Sequence, residues 1–182
     1  VGSSETSNEL VVRLAQEHPD VLVAAVGYDR DQIDKSHDAE KLAQLADHPA
    51  VVAVGEIGLD YYYSPETAPA QRALFGQMLE FALQRRRPVI VHSRYADDDT
   101  IELLGDFSTQ WKKVFHSVEK PAAAVPPPGI LHCFTGDAAF AEELLALGYF
   151  ISFSGILSFN NAGPLRAVAR HIPEDRLLVE TD

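Results

Sequence analysis

The sequence has a single cysteine, Cys133, among its 182 residues. That excludes an internal disulfide framework, and a lone thiol fits a reducing compartment. The expected location is the cytoplasm, with the nucleus as the alternative. No run of about 18 consecutive apolar residues occurs, the length a membrane-spanning helix needs, so no membrane is expected among the partners. Nor does the chain open on a charged-then-apolar stretch with a small-residue cleavage site, so no secretory signal is read. Positive charge is scarce: 15 Lys and Arg stand against 27 Asp and Glu, a net charge of −12. Proteins that grip nucleic acid by neutralising phosphates are normally basic, which disfavours a passive DNA-binding module. Bound divalent cations would reverse that balance locally. No G-x-G-x-x-G follows any apolar run, which removes the usual phosphate cradle of a dinucleotide-binding sheet.

What is present is a regular alternation of short apolar runs with amphipathic stretches. With 46% hydrophobic residues the chain can form one domain with a sizeable core. Strand-like runs cover residues 21–27, 51–57, 88–92, 129–134, 149–155 and 177–182, rich in Val, Ile, Leu and Phe as strands buried on both faces should be. The spacing of apolar residues predicts helices over 7–18, 39–47, 67–86, 98–104, 137–147 and 166–171. Asp137 is a good N-cap and Gly148 a good C′ residue, while Gly105 ends the fourth stretch. Residues 117–128, with Lys120, Pro121 and the run Pro126-Pro127-Pro128, cannot be regular helix or inner strand and are expected to form a surface insertion. Strict βα alternation implies a parallel sheet wrapped by helices, either doubly wound or closed as a barrel.

Polar residues gather at the carboxyl ends of the apolar runs, which favours the barrel, since barrels build their sites there. One run reaches Glu56 and continues as Gly58-Leu59-Asp60-Tyr61. Another ends in His92-Ser93-Arg94, a third contains His132, and the last ends in Glu180-Thr181-Asp182. Side chains alternate along a strand, so Val52, Val54 and Glu56 are expected on one face, as are Ile90 with His92 and Ile130 with His132. Two imidazoles and two carboxylates at one rim suit divalent metals, with a carboxylate able to bridge two ions. A lone strand histidine is more often a hydrogen-bonded core residue. Four such residues on one rim make that explanation weak, because an unpaired buried charge costs several kcal/mol by typical estimates. The other histidines serve as controls. His18, His48 and His171 fall at helix ends, His37 precedes a helix and His116 borders the insertion, and none receives a chemical role.

The runs Val54-Gly55-Glu56-Ile57-Gly58-Leu59-Asp60-Tyr61, Pro88-Val89-Ile90-Val91-His92-Ser93-Arg94, Leu131-His132-Cys133-Phe134-Thr135-Gly136, Tyr149-Phe150-Ile151-Ser152-Phe153-Ser154-Gly155 and Leu177-Leu178-Val179-Glu180-Thr181-Asp182 together resemble the successive strand signatures of TatD-related deoxyribonucleases. The resemblance implies a (β/α)₈ TIM-type barrel forming a single domain over residues 1–182. It implies hydrolysis of DNA phosphodiester bonds, exonucleolytically, by a centre of two divalent metal ions, Mg²⁺ first and Mn²⁺ or Zn²⁺ as alternatives. DNA is then the expected partner, with no obligate protein partner. Carried over by position, Glu56 is the bridging ligand, His92 and His132 hold one metal, and Asp182 binds the other and orients or deprotonates the attacking water. Arg94 would contact a phosphate. Tyr61, with Tyr62 and Tyr63, would either stack on unpaired bases or pack across the barrel mouth.

Three departures accompany the resemblance. The family's first strand ends in a His-x-His pair, and none occurs here; Val1-Gly2 looks like the tail of a second strand. The run 21–27 leads into Tyr28-Asp29-Arg30 in place of a histidine-containing turn, and the chain stops at Asp182, the end of what would be strand eight. An incomplete barrel, lacking the first strand and the C-terminal helices, is therefore expected. Two other readings stay open: a metal-dependent amidohydrolase or phosphotriesterase acting on a small molecule, and an inactive barrel fragment.

Overall fold

A computed structural model describes residues 1–116 and 125–181. Most of the expected insertion, and Asp182, lie outside the described residues. Among the described residues six strands form one all-parallel sheet: β1 (Ala24–Val26), β2 (Val51–Asp60), β3 (Val89–Arg94), β4 (Gly129–Leu131), β5 (Phe150–Phe153) and β6 (Leu177–Val179). They lie side by side in sequence order. A doubly wound sheet reverses its strand order at a switch point, and this sheet has no such reversal. Right-handed crossovers between sequential neighbours put every connecting helix on the same face, the arrangement of a (β/α) barrel wall.

The helices are α1 (Glu5–Glu17), α2 (Ala39–Ala46), α3 (Ala68–Arg85), α4 (Asp97–His116), α5 (Ala138–Leu147) and α6 (Gly163–Ala169). Their ends follow local chemistry. Ser4 and Ser7 make a reciprocal capping box on α1, and Asp38 accepts the Lys41 N–H at 2.9 Å at the start of α2. Asp137 accepts the Phe140 N–H at 2.9 Å, and Gly148, at φ 97°, closes α5 in the left-handed conformation only glycine adopts freely.

α4 is much longer than the stretch 98–104 expected from its sequence. Gly105 does not end it, because Leu104, Phe107, Ser108 and Trp111 carry a buried stripe onward. Glycine inside a helix costs about 1 kcal/mol, whereas burying a large apolar side chain returns about 1.5–3 kcal/mol. Burial wins. α6 also begins three residues before its expected start and ends two before its expected end, with Pro164 in its first turn.

The strands were expected to be buried on both faces; β1 is, with Ala24, Ala25 and Val26 at most 4% exposed, whereas the middle of the sheet is sealed on one face and only partly covered on the other. Val89, Val91, Leu131 and Ile151 are at most 1% exposed, packed under the buried stripe of α3 and the rest of the core. On the other face Ile90, Ile130 and Phe150 are half-buried and Val52 is 40% exposed. The six described strands form an open, curved wall, so its inner face remains accessible. The chemistry lies at the carboxyl rim of that face.

Candidate metal centre

β2 delivers Glu56 to the rim by a route that strict alternation did not foresee. Val54 pairs with Val89 but Ile57 pairs with Val91, so an extra residue is accommodated between them in a β-bulge, where the Gly55–Glu56 peptide bond is cis. Val54 and Ile57 thus share the sealed face with Val89 and Val91, both at 0% exposure. Glu56 is the residue the bulge turns out of that face, a use of bulges common beside active sites. Beyond it, Gly58 at φ 145° lies opposite His92, and a Cβ there would collide with the His92 carbonyl. Only glycine lets β2 and β3 approach closely enough here.

Glu56, His92 and His132 come together with one ligand atom each, all within 4.8 Å of one another. His132 Nε2 lies 3.1 Å from Glu56 Oε1, and His92 Nδ1 lies 3.6 Å from the same oxygen. The two imidazole rings are 5.7 Å apart between centroids. Each ring also faces a second carboxylate. His92 Nε2 is 3.1 Å from Oδ2 of the buried Asp60, and His132 Nδ1 is 3.8 Å from Oε2 of Glu180. A histidine whose far nitrogen faces a carboxylate has its tautomer and ring orientation fixed, which is how metal-ligating histidines are usually held. Glu180 also accepts the Cys133 backbone N–H, and Asp60 accepts the Tyr62 N–H at 2.9 Å, so both carboxylates are anchored in turn.

The electrostatics agree with a cation site. Burial alone would raise the Glu56 pKa, but the hydrogen bond and charge of His132, with His92 and Arg30, hold it below the ordinary value. Burial, reinforced by Arg30, lowers the His92 pKa, so its ring is neutral and able to ligate at neutral pH. One carboxylate and two oriented imidazoles are a donor set that fits a divalent metal ion.

Sequence reasoning missed several residues here. Arg30 enters the cleft beside Glu56, its guanidinium 3.6 Å from Glu56 Oε1 and 3.5 Å from Asp60 Oδ2, and pairs with Asp29. Asp29 Oδ1 is buried without a hydrogen-bond partner, and burial lifts the Asp29 pKa to about 6 despite Arg30. Asp60 and Glu180 had a sequence signal: each lies at the carboxyl end of a run that also carries an expected ligand. Arg30 had none. Asp29, Arg30, Glu56, His92 and His132, with Ser3, Ser93, Arg94, Cys133, Thr135 and others, line a cleft of about 560 Å³.

Arg94 and Tyr61 have distinct surroundings. Arg94 borders the cleft and its guanidinium lies 3.9 Å above the Tyr62 ring. Tyr61 is half-buried, and its hydroxyl donates to Asp99 Oδ2 at 2.6 Å. Burial and that bond raise its pKa, so the phenol stays protonated. Of the two roles expected for Tyr61, packing across the mouth is the one this geometry supports. The control histidines have ordinary partners: His37 stacks on Tyr28, His48 accepts the Ala50 N–H, and His171 lies 2.7 Å from the Ala167 carbonyl.

A profile of the TatD related DNase family matches residues 1–182. The chain is 46% identical over 146 residues to the uncharacterized metal-dependent hydrolase YcfH of Escherichia coli K12, covering 80% of this chain and 49% of that protein. It is 35% identical over 184 residues to the 3′-5′ ssDNA/RNA exonuclease TatD of Edwardsiella piscicida, covering 100% of this chain and 65% of that one. The crystal structure of YJJV, a TatD homologue from Escherichia coli, superposes with a TM-score of 0.84 at 30% identity, over 100% of this chain and 66% of the other. The chain therefore spans about half to two thirds of the length of these relatives. No described helix is long and apolar enough to cross a membrane. With its sequential parallel sheet, its rim of Glu56, His92 and His132 and a match along its whole length, the chain belongs to the TatD-related DNase family.

Proposed function

We propose that this chain carries the metal-binding wall of a divalent-metal-dependent hydrolase that cleaves DNA phosphodiester bonds from a strand end. The observation that carries the reading is the Glu56–His92–His132 cluster, with each histidine backed by a second carboxylate. The Edwardsiella relative, named as an exonuclease on single-stranded DNA and RNA, supports a nucleic-acid substrate.

In this reading Glu56, His92 and His132 would hold one ion, with Glu56 also available to a second. Asp182 would contribute to that second ion and would accept a proton from the attacking water. The bound ions, Mg²⁺ first with Mn²⁺ or Zn²⁺ as alternatives, supply charge neutralisation and a lowered water pKa. The chain's own residues do the remaining work. Asp60 and Glu180 fix the imidazoles so that neither ring reorganises during turnover. Arg94 offers its fork to a phosphate at the mouth of the cleft, the anion geometry it suits best. A −12 chain needs such local positive charge to admit a polyanion at all.

The test is hydrolysis of 3′- and 5′-labelled single-stranded oligonucleotides by the intact protein with Mg²⁺, Mn²⁺ or Zn²⁺, beside a panel of small phosphate and carboxylate esters. Metal-dependent shortening of the oligonucleotide, abolished by EDTA, is expected. Cleavage that persists in excess chelator, or turnover of the small esters alone, would overturn the assignment.

A further inference from the structure

Beside the metal cleft is an aromatic surface that the hydrolytic centre does not use. Tyr62, Tyr63 and Tyr95 are 50%, 77% and 73% exposed. Tyr62 and Tyr95 are stacked with centroids 5.5 Å apart and an interplanar angle of 22°, and Tyr63 meets Tyr62 edge-on at 4.6 Å. Arg94 lies over Tyr62 at 3.9 Å and within 5.3 Å of Tyr63. Three exposed rings, two of them against the Arg94 guanidinium and the third stacked on Tyr62, form an amphipathic platform at the ends of two adjacent strands, β2 and β3.

The platform is continuous with the centre. Arg94 borders the cleft of Glu56, His92 and His132, and it also borders a neighbouring cleft of about 410 Å³ with Tyr95, Asp97, Thr135, Gly136 and Asp137. Tyr95 is held at φ 55°, a left-handed conformation that costs a non-glycine residue about 1 kcal/mol or more. The cost is borne by an exposed ring, where no burial compensates for it. Tyr61, by contrast, is turned inward onto Asp99, so the stacking surface begins one residue later.

We propose that Tyr62, Tyr63 and Tyr95, with Arg94, form a binding site for the unpaired bases next to the scissile phosphate. The proposal rests on the nuclease reading above and deepens it by naming the residues that would hold the bases of the strand. Charge argues for bases as the occupant. A chain of net charge −12 cannot gain affinity from a broad basic track, whereas ring stacking needs no net positive charge and accepts any base. A duplex keeps its bases stacked on one another and offers the platform nothing, so the surface selects for single strands.

The experiment measures anisotropy of a fluorescein-labelled, hydrolysis-resistant phosphorothioate oligothymidylate with the intact protein and Mg²⁺. A matched abasic oligonucleotide and a duplex serve as comparisons. Tyr62→Ala and Tyr95→Ala should each weaken oligothymidylate binding by about fivefold to a hundredfold, the range one stacked base is worth. Tyr62→Phe should bind like the wild type, and the abasic strand should bind all variants equally weakly. Mn²⁺ affinity and melting temperature should be unchanged in the Ala variants, which separates lost stacking from a disturbed centre. Wild-type affinity in both Ala variants, or equal weakening for the abasic strand, overturns the platform while leaving the hydrolase reading intact. A surface made for a protein partner would leave every oligonucleotide unaffected by these changes and also overturns it. Failure of the wild type to cleave an unmodified oligonucleotide with any divalent metal would instead bring down the nuclease reading.

Discussion

On the helix-covered face of the sheet Val89, Val91, Leu131 and Ile151 are closed to solvent, while on the opposite face Ile90, Ile130 and Phe150 are half-buried and the rim carries Glu56, His92 and His132. Adjacent residues at a strand end thus serve opposite purposes. Leu131 packs and His132, one position on, faces Glu56. The difference teaches that stability and chemistry are separable here by residue parity, except where the bulge in β2 shifts the parity on purpose of position rather than composition.

The largest effect should come from the sealed face. Leu131→Ala removes a side chain that is 1% exposed and should cost about 2–5 kcal/mol, read from urea unfolding. Rim residues should behave otherwise. Folded Asp29 has a pKa of about 6 against an ordinary 3.8, so the folded state binds that proton more tightly. Its contribution is full below about pH 4 and lost as pH rises through 6, at most roughly 3 kcal/mol. Unfolding measured from pH 4 to 7 should show that slope in the wild type and a flatter one in Asp29→Asn; parallel curves would refute the burial argument. His132→Ala should lower divalent-metal affinity by at least about a hundredfold, as loss of a ligand should, and leave the melting temperature within a few degrees, with His171→Ala as a silent control in the same calorimetric titration. Equal affinities in the two variants would break the contrast between faces.

Asp60→Asn keeps the shape behind His92 and removes the charge, so metal affinity should fall about 10–100-fold. The smallest effect belongs to the outer layer. Nothing lies within 4 Å of a Cβ added at Gly105, in the middle of α4. Gly105→Ala should therefore stabilise the protein by about 0.5–1 kcal/mol without altering metal titration.

Much of this was legible in the sequence, for reasons that can be named. α5 had a capping aspartate at one end and a glycine at the other, and its bounds followed from them. α4 runs past its expected end because Gly105 is a stop only in local terms, whereas in the fold the Phe107–Trp111 stripe finds a core. Glu56, His92 and His132 stood out because a charged or imidazole group ending an apolar run has few structural uses. Strict alternation puts Glu56 on the same face as Val54, and the bulge that turns it away can be recognised only once β2 is set against β3. Arg30 was invisible for a different reason: it follows a three-residue strand, and its reach to Glu56 and Asp60 depends on how β1 and β2 are staggered.

That arginine also bears on how the centre is filled. With its guanidinium already between Glu56 and Asp60, the acidic rim has an internal counter-ion, and Coulomb repulsion among the carboxylates is relieved before any ion arrives. An ion arriving at Glu56 would compete with that guanidinium, so its net binding free energy would be a difference and its occupancy would follow the ambient ion concentration. A chelated sample should accordingly remain folded, its rim held together by a side chain that cannot diffuse away.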